Sequence, residues 1–456
     1  MELNSDSLPD KTKCSFYSTD QFNEGTCTSY SQNSFSFLHL NIRSLAKHYD
    51  DLVSHLDILD CNFHFLGLSE TWLNHNSDPS FYNLPLYQLI TSNREIARGG
   101  GVALYVHNSL SFTRIDNINI MHCESIFVET VIDNKAIIVG VNYRKPNTPH
   151  LEFLHSLESC LDQLSASGKS CIILGDVNID TSTDSAPAIQ YNTLLNSYNF
   201  YQIINTATRI TDNTSTIIDH CLTNITNYFI NCGTLQSDIT DHYPIFCIIN
   251  HIKHILKPAN SAQILNFKNY NPDTFLSDLN ATSWQPVYDC TDPNIAYEAF
   301  YNIFYNIVSN HVHTKTTHHS NSIRKPWLSN GLLKSVRTKH RLFAKMKNNP
   351  HNVNYKLKYK KYRNILTKLL KSVKKRYYFN KFRWAQGNIN KTWQVINEVL
   401  NKSTNKLYPR KLILKTPNNG PLTESSNEFN DFFHKHWSKT CIKYHISQQF
   451  HTISGR

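Results

Sequence analysis

The stretch Phe35-Ser36-Phe37-Leu38-His39-Leu40 is a short, mainly apolar run, and it is followed directly by the polar cluster Asn41-Ile42-Arg43-Ser44. An apolar run of about six residues with polar punctuation is typical of a strand buried in a sheet. The residue directly after such a strand lies on a rigid platform at the sheet edge, where binding residues are often found.

Apolar runs of this kind recur between residues 35 and 250. The others are Phe63–Leu68, Gly101–Val106, Ile137–Val141, Cys171–Leu174, Ile217–Leu222 and Pro244–Ile249. Amphipathic stretches of helical length, His48–Leu59 and Leu151–Leu164, lie between several of them. Because strands alternate with helices, the sequence predicts one α/β domain over 35–250.

The positive charge is concentrated in one segment. The chain has 456 residues and a formal net charge of +11, but 324–391 holds 21 of its 46 Lys and Arg residues and no Asp or Glu. The rest of the chain carries 25 basic residues against all 35 acidic ones. This polarity favours a polyanion as the partner of the segment, and the alternative is a solvated basic helix without a specific partner.

Three further segments differ in composition from the α/β domain. Residues 1–34 are rich in Ser, Thr, Asn and Asp, and we predict a disordered N-terminal segment there. Residues 251–323 contain four prolines and are predicted to be a connector with helices. Residues 324–400 are predicted to be a basic helical linker, because apolar residues recur every three or four positions from Tyr355 to Val373.

Several classes of protein are excluded by simple features of the chain. Residues 1–6 are polar and acidic, without the basic and apolar regions of a secretory signal. No run approaches the roughly 18 apolar residues that a membrane span requires. The eleven cysteines are odd in number and include no C-x-x-C pair, which favours reduced thiols. We therefore expect an intracellular protein, nuclear or cytoplasmic, with no membrane partner.

Polar clusters that follow the apolar runs carry the chemistry. Mg²⁺ prefers oxygen ligands, and phosphodiester hydrolysis needs an activated water, stabilised phosphate charge and a protonated leaving oxygen. Any one cluster could be a turn or a helix cap, but the ordered set supplies all of these groups. Its members are Asn41, Glu70, Tyr143, Asn147, Asp176, Asn178, Asp219, Asp241 and His242.

This ordered set resembles the exonuclease–endonuclease–phosphatase superfamily. More narrowly, it is similar to the apurinic-type endonuclease domain of jockey-like non-LTR (LINE-type) retrotransposon polyproteins. The resemblance covers about residues 35–250. The motifs that carry it are Leu38–Leu45, Leu68–Leu73, Arg98–Ala103, Gly175-Asp176-Val177-Asn178, Thr208–Thr211, Ser215–His220 and Ser237–Ile245.

The resemblance implies a metal site and a histidine that acts on water or phosphate. It assigns Glu70, Asn41 and Asp241 to the metal, which would be Mg²⁺ with Mn²⁺ as an alternative. It also implies that Asp219 orients His242. His242 is then either a general base on water or a group that stabilises the phosphate, and both roles stay open.

The remaining residues of the set are implied to contact the substrate. Asp176 and Asn178 would bind the phosphate and the attacking water, with Asp176 also assisting the leaving group. Tyr143 and Asn147 would contact the phosphate, and Arg209 is a further substrate-binding candidate.

The family fold is a four-layer α/β sandwich, in which two mixed, mostly antiparallel sheets pack face to face between helices. Here a basic helical region would follow it. The residues themselves are also compatible with a doubly wound sheet. Residues 401–456 resemble the truncated start of a reverse-transcriptase region. The chain contains no Tyr-x-Asp-Asp, so we expect no polymerase activity from it.

The expected activity is Mg²⁺-dependent nicking of one DNA strand, which leaves a 3′-hydroxyl that primes reverse transcription. DNA is the expected partner, and the element's RNA is a second candidate for binding by 324–391. Two alternatives stay open. One is a phosphatase of the same superfamily that acts on inositol phosphates or lipid head groups. The other is a catalytically silent fragment that only binds nucleic acid.

Overall fold

The computed structural model describes residues 9–27, 34–59, 61–94, 99–132, 134–211, 213–250, 262–266, 270–317 and 325–401. In chain order the strands are β1 (Thr12–Tyr17), β2 (Ser34–Asn41), β3 (Phe65–Ser69), β4 (Tyr87–Ser92), β5 (Val102–His107), β6 (Phe112–Ile115), β7 (Cys123–Ile132), β8 (Lys135–Arg144), β9 (Ser170–Asp176), β10 (Tyr201–Gln202), β11 (Arg209–Ile210), β12 (Ser215–Thr216), β13 (Asp219–Thr223), β14 (Ile230–Leu235), β15 (Ile245–Asn250), β16 (Ala262–Asn266) and β17 (His313–Thr317). The α-helices are α1 (Thr19–Phe22), α2 (Leu45–Leu59), α3 (His150–Ala166), α4 (Ala186–Ser197), α5 (Pro272–Ala281), α6 (Gln285–Tyr288), α7 (Pro293–His311), α8 (Asn330–Asn348), α9 (Val353–Ala385) and α10 (Ile389–Val399).

Two large mixed sheets form the centre of the fold. The first has seven strands in the order β1-β14-β15-β2-β3-β5-β4, and the second has six in the order β10-β13-β9-β8-β7-β6. Most neighbours are antiparallel, but three pairs are parallel: β1 with β14, β2 with β3, and β8 with β9. The last two pairs are each joined by one helix, α2 in the first sheet and α3 in the second.

Strand β2 shows how alternation along a strand builds the layers. Phe35 and Phe37 pack into the core between the two sheets. Leu38 and Leu40 point to the opposite face and pack in a second core, which also contains apolar side chains of α2. Successive side chains of a strand point to opposite faces, and every residue of β2 is buried, so the strand is covered on both sides.

Strand β9 repeats this arrangement in the second sheet. Ile172 and Leu174 face the core between the sheets, while Cys171 and Ile173 pack with the apolar side chains of α3 and α4. The layers are therefore helix, sheet, sheet and helix. The predicted four-layer sandwich followed by a helical region is confirmed.

The seven apolar runs predicted as strands all form strands, with ends that differ by a few residues. The sequence prediction missed several strands, among them β4, β7 and β14. Strand β7 has polar residues at Glu124, Ser125, Glu129 and Thr130, which leave only short apolar runs, and this weaker pattern is why it was missed.

The prediction that residues 1–34 lack fixed structure is wrong for Thr12–Cys27. Strand β1 pairs in parallel with β14 at the edge of the first sheet, and the fully buried Phe22 of α1 packs in the core beneath α2. The strand's own apolar content is low, and its partner lies more than 200 residues away along the chain. Local composition therefore does not reveal this pairing.

The predicted connector contains helices α5, α6 and α7 together with the antiparallel pair β16–β17. The predicted region 401–456 falls outside the described residues except for Asn401. Among the helices of the described ranges, none combines the length and apolarity needed to cross a bilayer.

The basic segment forms helices that pack on the sandwich. Ile58 of α2 is buried in a cluster with apolar side chains of α8 and α9, including Val336 and Leu366. Lys374 of α9 also forms an ion pair with Asp50 of α2, at 2.6 Å. The linker predicted from its charge is therefore part of the same folded unit as the sandwich.

Two histidines lie buried where α2 meets α8. The rings of His55 and His340 are 5.5 Å apart. Burial and the neighbouring His340 lower the pKa of His55 to about 3. Burial likewise lowers the pKa of His340 to about 4. Lys339 and Asp238, of opposite charge, also face this pair.

We predict that His55→Leu makes the protein less sensitive to acid. The folded pKa of His55 lies below its unfolded value of about 6.5, so the unfolded chain binds more protons between about pH 3 and pH 6.5. Stability is therefore lost as the pH falls through that window. Replacement should recover about 2 kcal/mol at pH 5 relative to pH 7.5, measured by thermal unfolding. His155→Leu, on the exposed side of α3, is the control, and an equal effect of both variants would contradict the prediction.

Candidate active site

Four strands bring polar side chains to one end of the space between the sheets. Phe35 and Phe37 of β2 face this space, so the same parity directs Asn41 into it. The inward face of β8 ends at Tyr143, and that of β9 ends at Asp176. In β13 the inward-facing residue that precedes Cys221 is Asp219, and Asp219 lies opposite Asp176 in the strand pair.

Asn41 joins two carboxylates. Its Nδ2 donates to Glu70 Oε1 at 2.9 Å and to Asp176 Oδ2 at 2.7 Å. Glu70 directly follows β3 in the left-handed backbone region, with φ of 51°, and its Oε2 accepts a hydrogen bond from Trp72 Nε1 at 3.1 Å. A non-glycine residue in that region is uncommon, and such strain is characteristic of functional sites.

His242 and Asp219 form a buried pair. His242 Nδ1 lies 2.8 Å from Asp219 Oδ2 and 4.0 Å from Asp176 Oδ2. Burial alone would lower the pKa of His242, but the Asp219 carboxylate raises it to about 9. Burial would raise the pKa of Asp219, but His242 and the neighbouring hydrogen bonds bring it below its usual value. Asp219 therefore holds the His242 imidazole both by a hydrogen bond and by charge attraction.

Asp176 carries the opposite perturbation. Burial and the nearby Asp219 carboxylate raise the pKa of Asp176 to about 7. The turn that follows is closed by Asn178, whose backbone N–H donates to Asp176 Oδ1 at 3.1 Å and whose φ is 52°. A Cβ on Gly175 would lie 1.7 Å from Asn142 Oδ1, so the close approach of β8 and β9 requires glycine there.

Asp241 lies beside this cluster and is engaged by two guanidinium groups. Arg43 Nη1 lies 2.6 Å from Asp241 Oδ1, and Arg209 Nε lies 2.9 Å from Asp241 Oδ2. Burial would raise the pKa of Asp241, but His242 and Arg43 lower it. Both carboxylate oxygens are thus in ion pairs, and the role of Asp241 as a metal ligand stays a prediction.

Tyr143 and Asn147, both predicted to contact the phosphate, differ in burial. Tyr143 is almost fully buried, the Arg94 guanidinium lies 5.8 Å from its ring centroid, and burial raises its pKa. Asn147 lies exposed in the turn after β8. Within the described ranges, no hydrogen bond links Asn147 to the buried cluster. Asn178 Nδ2 instead donates to the Arg144 carbonyl at 2.7 Å, which holds the turns after β8 and β9 together.

Three residues around the cluster were missed by the sequence prediction. Thr208 Oγ1 accepts from the backbone N–H of Asp219 at 3.0 Å, and Arg43 binds Asp241. His39 is fully buried, with Nδ1 3.8 Å from Asp219 Oδ1, and burial lowers its pKa to about 4. Arg43 lies in the motif Leu38–Leu45 and Thr208 in the motif Thr208–Thr211, and the alternation along β2 places His39 on the same face as Asn41. The sequence therefore contained enough information to predict all three.

The donor set fits a hard divalent cation. Ligand atoms of Asp176, Asp219 and His242 all lie within 4.8 Å of one another, and Asn41 links this group to Glu70. Asp219 Oδ1 is buried and accepts no hydrogen bond from any residue in the described part of the chain. Closely spaced carboxylates and an orphaned buried oxygen are what an oxygen-preferring ion would stabilise.

Comparison with known protein families gives a match over the part of the chain that contains the candidate site. The profile of the Endonuclease/Exonuclease/phosphatase family matches residues 33–242, from the start of β2 to His242. No curated protein matches the chain.

Solved structures with a similar arrangement include two AP endonucleases and a retrotransposon domain. An AP endonuclease from Leishmania major is 14% identical, with a TM-score of 0.42, over 50% of this chain and 91% of that one. The endonuclease domain of TRAS1, a telomere-specific non-LTR retrotransposon, is 13% identical with a TM-score of 0.40, over 48% and 100%. The APE2 catalytic domain of Xenopus laevis is 17% identical with a TM-score of 0.39, over 47% and 92%.

We predict opposite effects of Asp176→Asn with and without metal. At pH 8 without metal the substitution should raise the unfolding temperature, because it removes repulsion between buried carboxylates. It should also reduce the rise in unfolding temperature that Mg²⁺ produces in the wild type. Thermal unfolding in EDTA and in Mg²⁺ measures both effects. Asp184→Asn, an exposed neighbour, should change neither, and an undiminished Mg²⁺ response in Asp176→Asn would count against the site.

Proposed function

We propose that the chain is a Mg²⁺-dependent DNA endonuclease that hydrolyses one phosphodiester strand and leaves a 3′-hydroxyl. The observation that carries the proposal is the unbroken series of polar contacts from Glu70 through Asn41 and Asp176 to His242 and Asp219. The family match over 33–242 supports a hydrolase of phosphate esters. The sequence motifs of the chain resemble those of non-LTR retrotransposon endonucleases, and this resemblance favours DNA nicking for target-primed reverse transcription over the other activities of the family.

The metal would be held by Glu70 and Asn41, beside the group formed by Asp176, Asp219 and His242, with Asp241 as the third predicted ligand. Mg²⁺, or Mn²⁺ in its place, would supply Lewis-acid stabilisation of phosphate charge when bound. Asp219 holds the imidazole of His242 through Nδ1. Because Nδ1 is occupied by Asp219, the other ring nitrogen of His242, Nε2, would act on the attacking water or on a phosphate oxygen.

The other polar residues would orient the phosphate and the leaving group. Asp176, held by Asn41 and Asn178, would assist the departing 3′-oxygen. Tyr143 would contact a phosphate oxygen at the end of β8. Arg209 lies beside Asp241 at the same edge and would contact the DNA backbone. Asn147 is exposed in the turn after β8, and from there it would contact a phosphate of the bound DNA.

The outer face of α9 supports a polyanionic substrate. Five lysines lie within about 100° of the helix circumference, opposite the apolar side that packs on α8. They are Lys360, Lys361, Lys368, Lys371 and Lys375. All five are exposed, and within the described residues none pairs with an Asp or Glu. DNA is the proposed partner of this face, and the element's RNA is a second ligand of the same chemistry.

A DNA target and an RNA template imply a nuclear or cytoplasmic location.

We predict that Glu70→Ala and His242→Ala each lower the nicking rate on supercoiled plasmid by about 10²- to 10⁴-fold while the fold is kept. Loss of a metal ligand or of the imidazole removes stabilisation of the transition state. Glu158→Gln, on the solvent side of α3, is the control. Full activity of both alanine variants would remove the assignment. Hydrolysis of a soluble inositol phosphate with no plasmid cleavage would instead indicate the phosphatase.

We further predict that glutamine at the five α9 lysines makes DNA binding less dependent on salt. Each phosphate contact contributes about 0.9 to the slope of log affinity against log salt concentration, so loss of several contacts flattens that slope. Fluorescence anisotropy with a DNA duplex at several salt concentrations measures it. Arg114→Gln with Lys135→Gln, on strands β6 and β8, is the control. An unchanged slope in the five-lysine variant would mean that this face does not bind DNA.

A further inference from the structure

The loop between β14 and β15 carries Asp241 and His242 and also contains a buried acid that faces away from them. The side chain of Asp238 is about 1% exposed. Its Oδ1 lies 3.0 Å from Lys339 Nζ and 3.5 Å from His340 Nε2, and its Oδ2 accepts a hydrogen bond from Tyr359 at 2.9 Å. In the described part of the chain, every one of these side-chain partners belongs to α8 or α9.

A buried carboxylate without partners is strongly unfavourable, so these contacts determine where the loop can lie. Burial would raise the pKa of Asp238, but Lys339 and His340 lower it below its usual value. The carboxylate is therefore charged, and the cation that balances it comes from the basic helices. The loop and the helix pair α8–α9 depend on each other.

An aromatic cluster makes a second contact between the helices and the loop. Tyr243, the residue after His242, packs against Phe343 at a centroid distance of 6.3 Å, and Phe343 packs against Tyr359 at 5.3 Å. On the same side, Lys347 Nζ donates to the carbonyl of Ile210 at 3.4 Å. The helix pair therefore contacts the chain on both sides of His242.

The opposite side of the loop is held by the sandwich. Thr240 Oγ1 donates to the Asn41 carbonyl at 2.9 Å, and the Tyr243 N–H donates to the Thr208 carbonyl at 2.6 Å. The loop thus lies between two supports. One comes from the strand ends that carry the candidate site, and the other comes from a segment about 100 residues further along the chain.

We propose that Asp238 is a positioning residue, and that the helix pair α8–α9 holds the loop that carries His242 in its active geometry. This inference rests on the proposed nuclease function. It implies that removal of residues 324–456 would lower the nicking rate as well as weaken nucleic-acid binding. A chain that ends near residue 250 would expose Ile58 and Tyr243 and would leave Asp238 without a counter-charge.

Conservative variants that keep the helices in place test the proposal. Tyr359→Phe removes only the hydroxyl that binds Asp238, and Asp238→Asn removes only the charge. Both should lower kcat for plasmid nicking by on the order of tenfold or more, because a small displacement of a catalytic group is costly. KM for plasmid should change less than about twofold, since the exposed lysines of α9 are retained.

The matched control is Asp50→Asn. It breaks the ion pair between α2 and Lys374, which also attaches α9 to the sandwich but does not touch the loop. Its kcat should equal that of the wild type. Equal kcat values for Asp238→Asn, Tyr359→Phe and Asp50→Asn would overturn the proposal, as would a loss expressed only in KM.

A measurement without catalysis separates this proposal from the proposed function. The proton between His242 Nδ1 and Asp219 should give a downfield NMR resonance that is absent from His242→Gln. Asp238→Asn should shift or broaden that resonance, and Asp50→Asn should not. If the wild type does not nick DNA but the resonance responds in this way, the nuclease assignment fails and the positioning role stands. An unaltered resonance in Asp238→Asn overturns the positioning role whatever the activity.

Discussion

Repulsion between two carboxylates buried side by side between the sheets shapes the whole candidate site. Asp176 and Asp219 face each other across paired strands, where little water is present to screen their charges. The surrounding groups compensate in different ways: His242 forms an ion pair with Asp219, and the Asn41 amide donates to Asp176. The two acids consequently have different pKa values, one raised and one lowered. Such a division between neighbouring acids is how one site supplies both a proton donor and a charged acceptor.

The same need for compensation connects the basic helices to the site. The loop of His242 contains a third buried acid, Asp238, and its counter-charge comes from Lys339. Most basic residues of the segment lie on solvent-exposed surfaces, but a few are directed inward at acids of the sandwich, as in the pair of Lys374 with Asp50. One segment therefore has two physical roles, a packed inner side that stabilises the loop and an exposed outer side that favours polyanions.

Much of the fold could be predicted because strands buried on both sides are apolar at nearly every position. Strand β9 has this pattern, and β2 has it in part, because Ser36 and His39 interrupt its apolar residues; the polar residue at the end of each strand is in the candidate site. Strand β1 could not be predicted, because it is an edge strand whose pairing with β14 depends on a partner far along the chain. The order of the strands in the two sheets could be predicted only through the family resemblance.

The sequence alone determined which chemical groups are present and, through strand parity, which of them face the space between the sheets. Asn41, Tyr143 and Asp176 are inward-facing because Phe37, Val141 and Leu174, which lie an even number of positions before them, are inward-facing. The packing of distant segments was needed to show that Asp241 is neutralised by Arg43 and Arg209, that Asn147 lies outside the cluster, and that Asp238 joins the loop of His242 to α8 and α9. These contacts join residues that are distant in the chain, and the distances between such residues depend on how the layers pack.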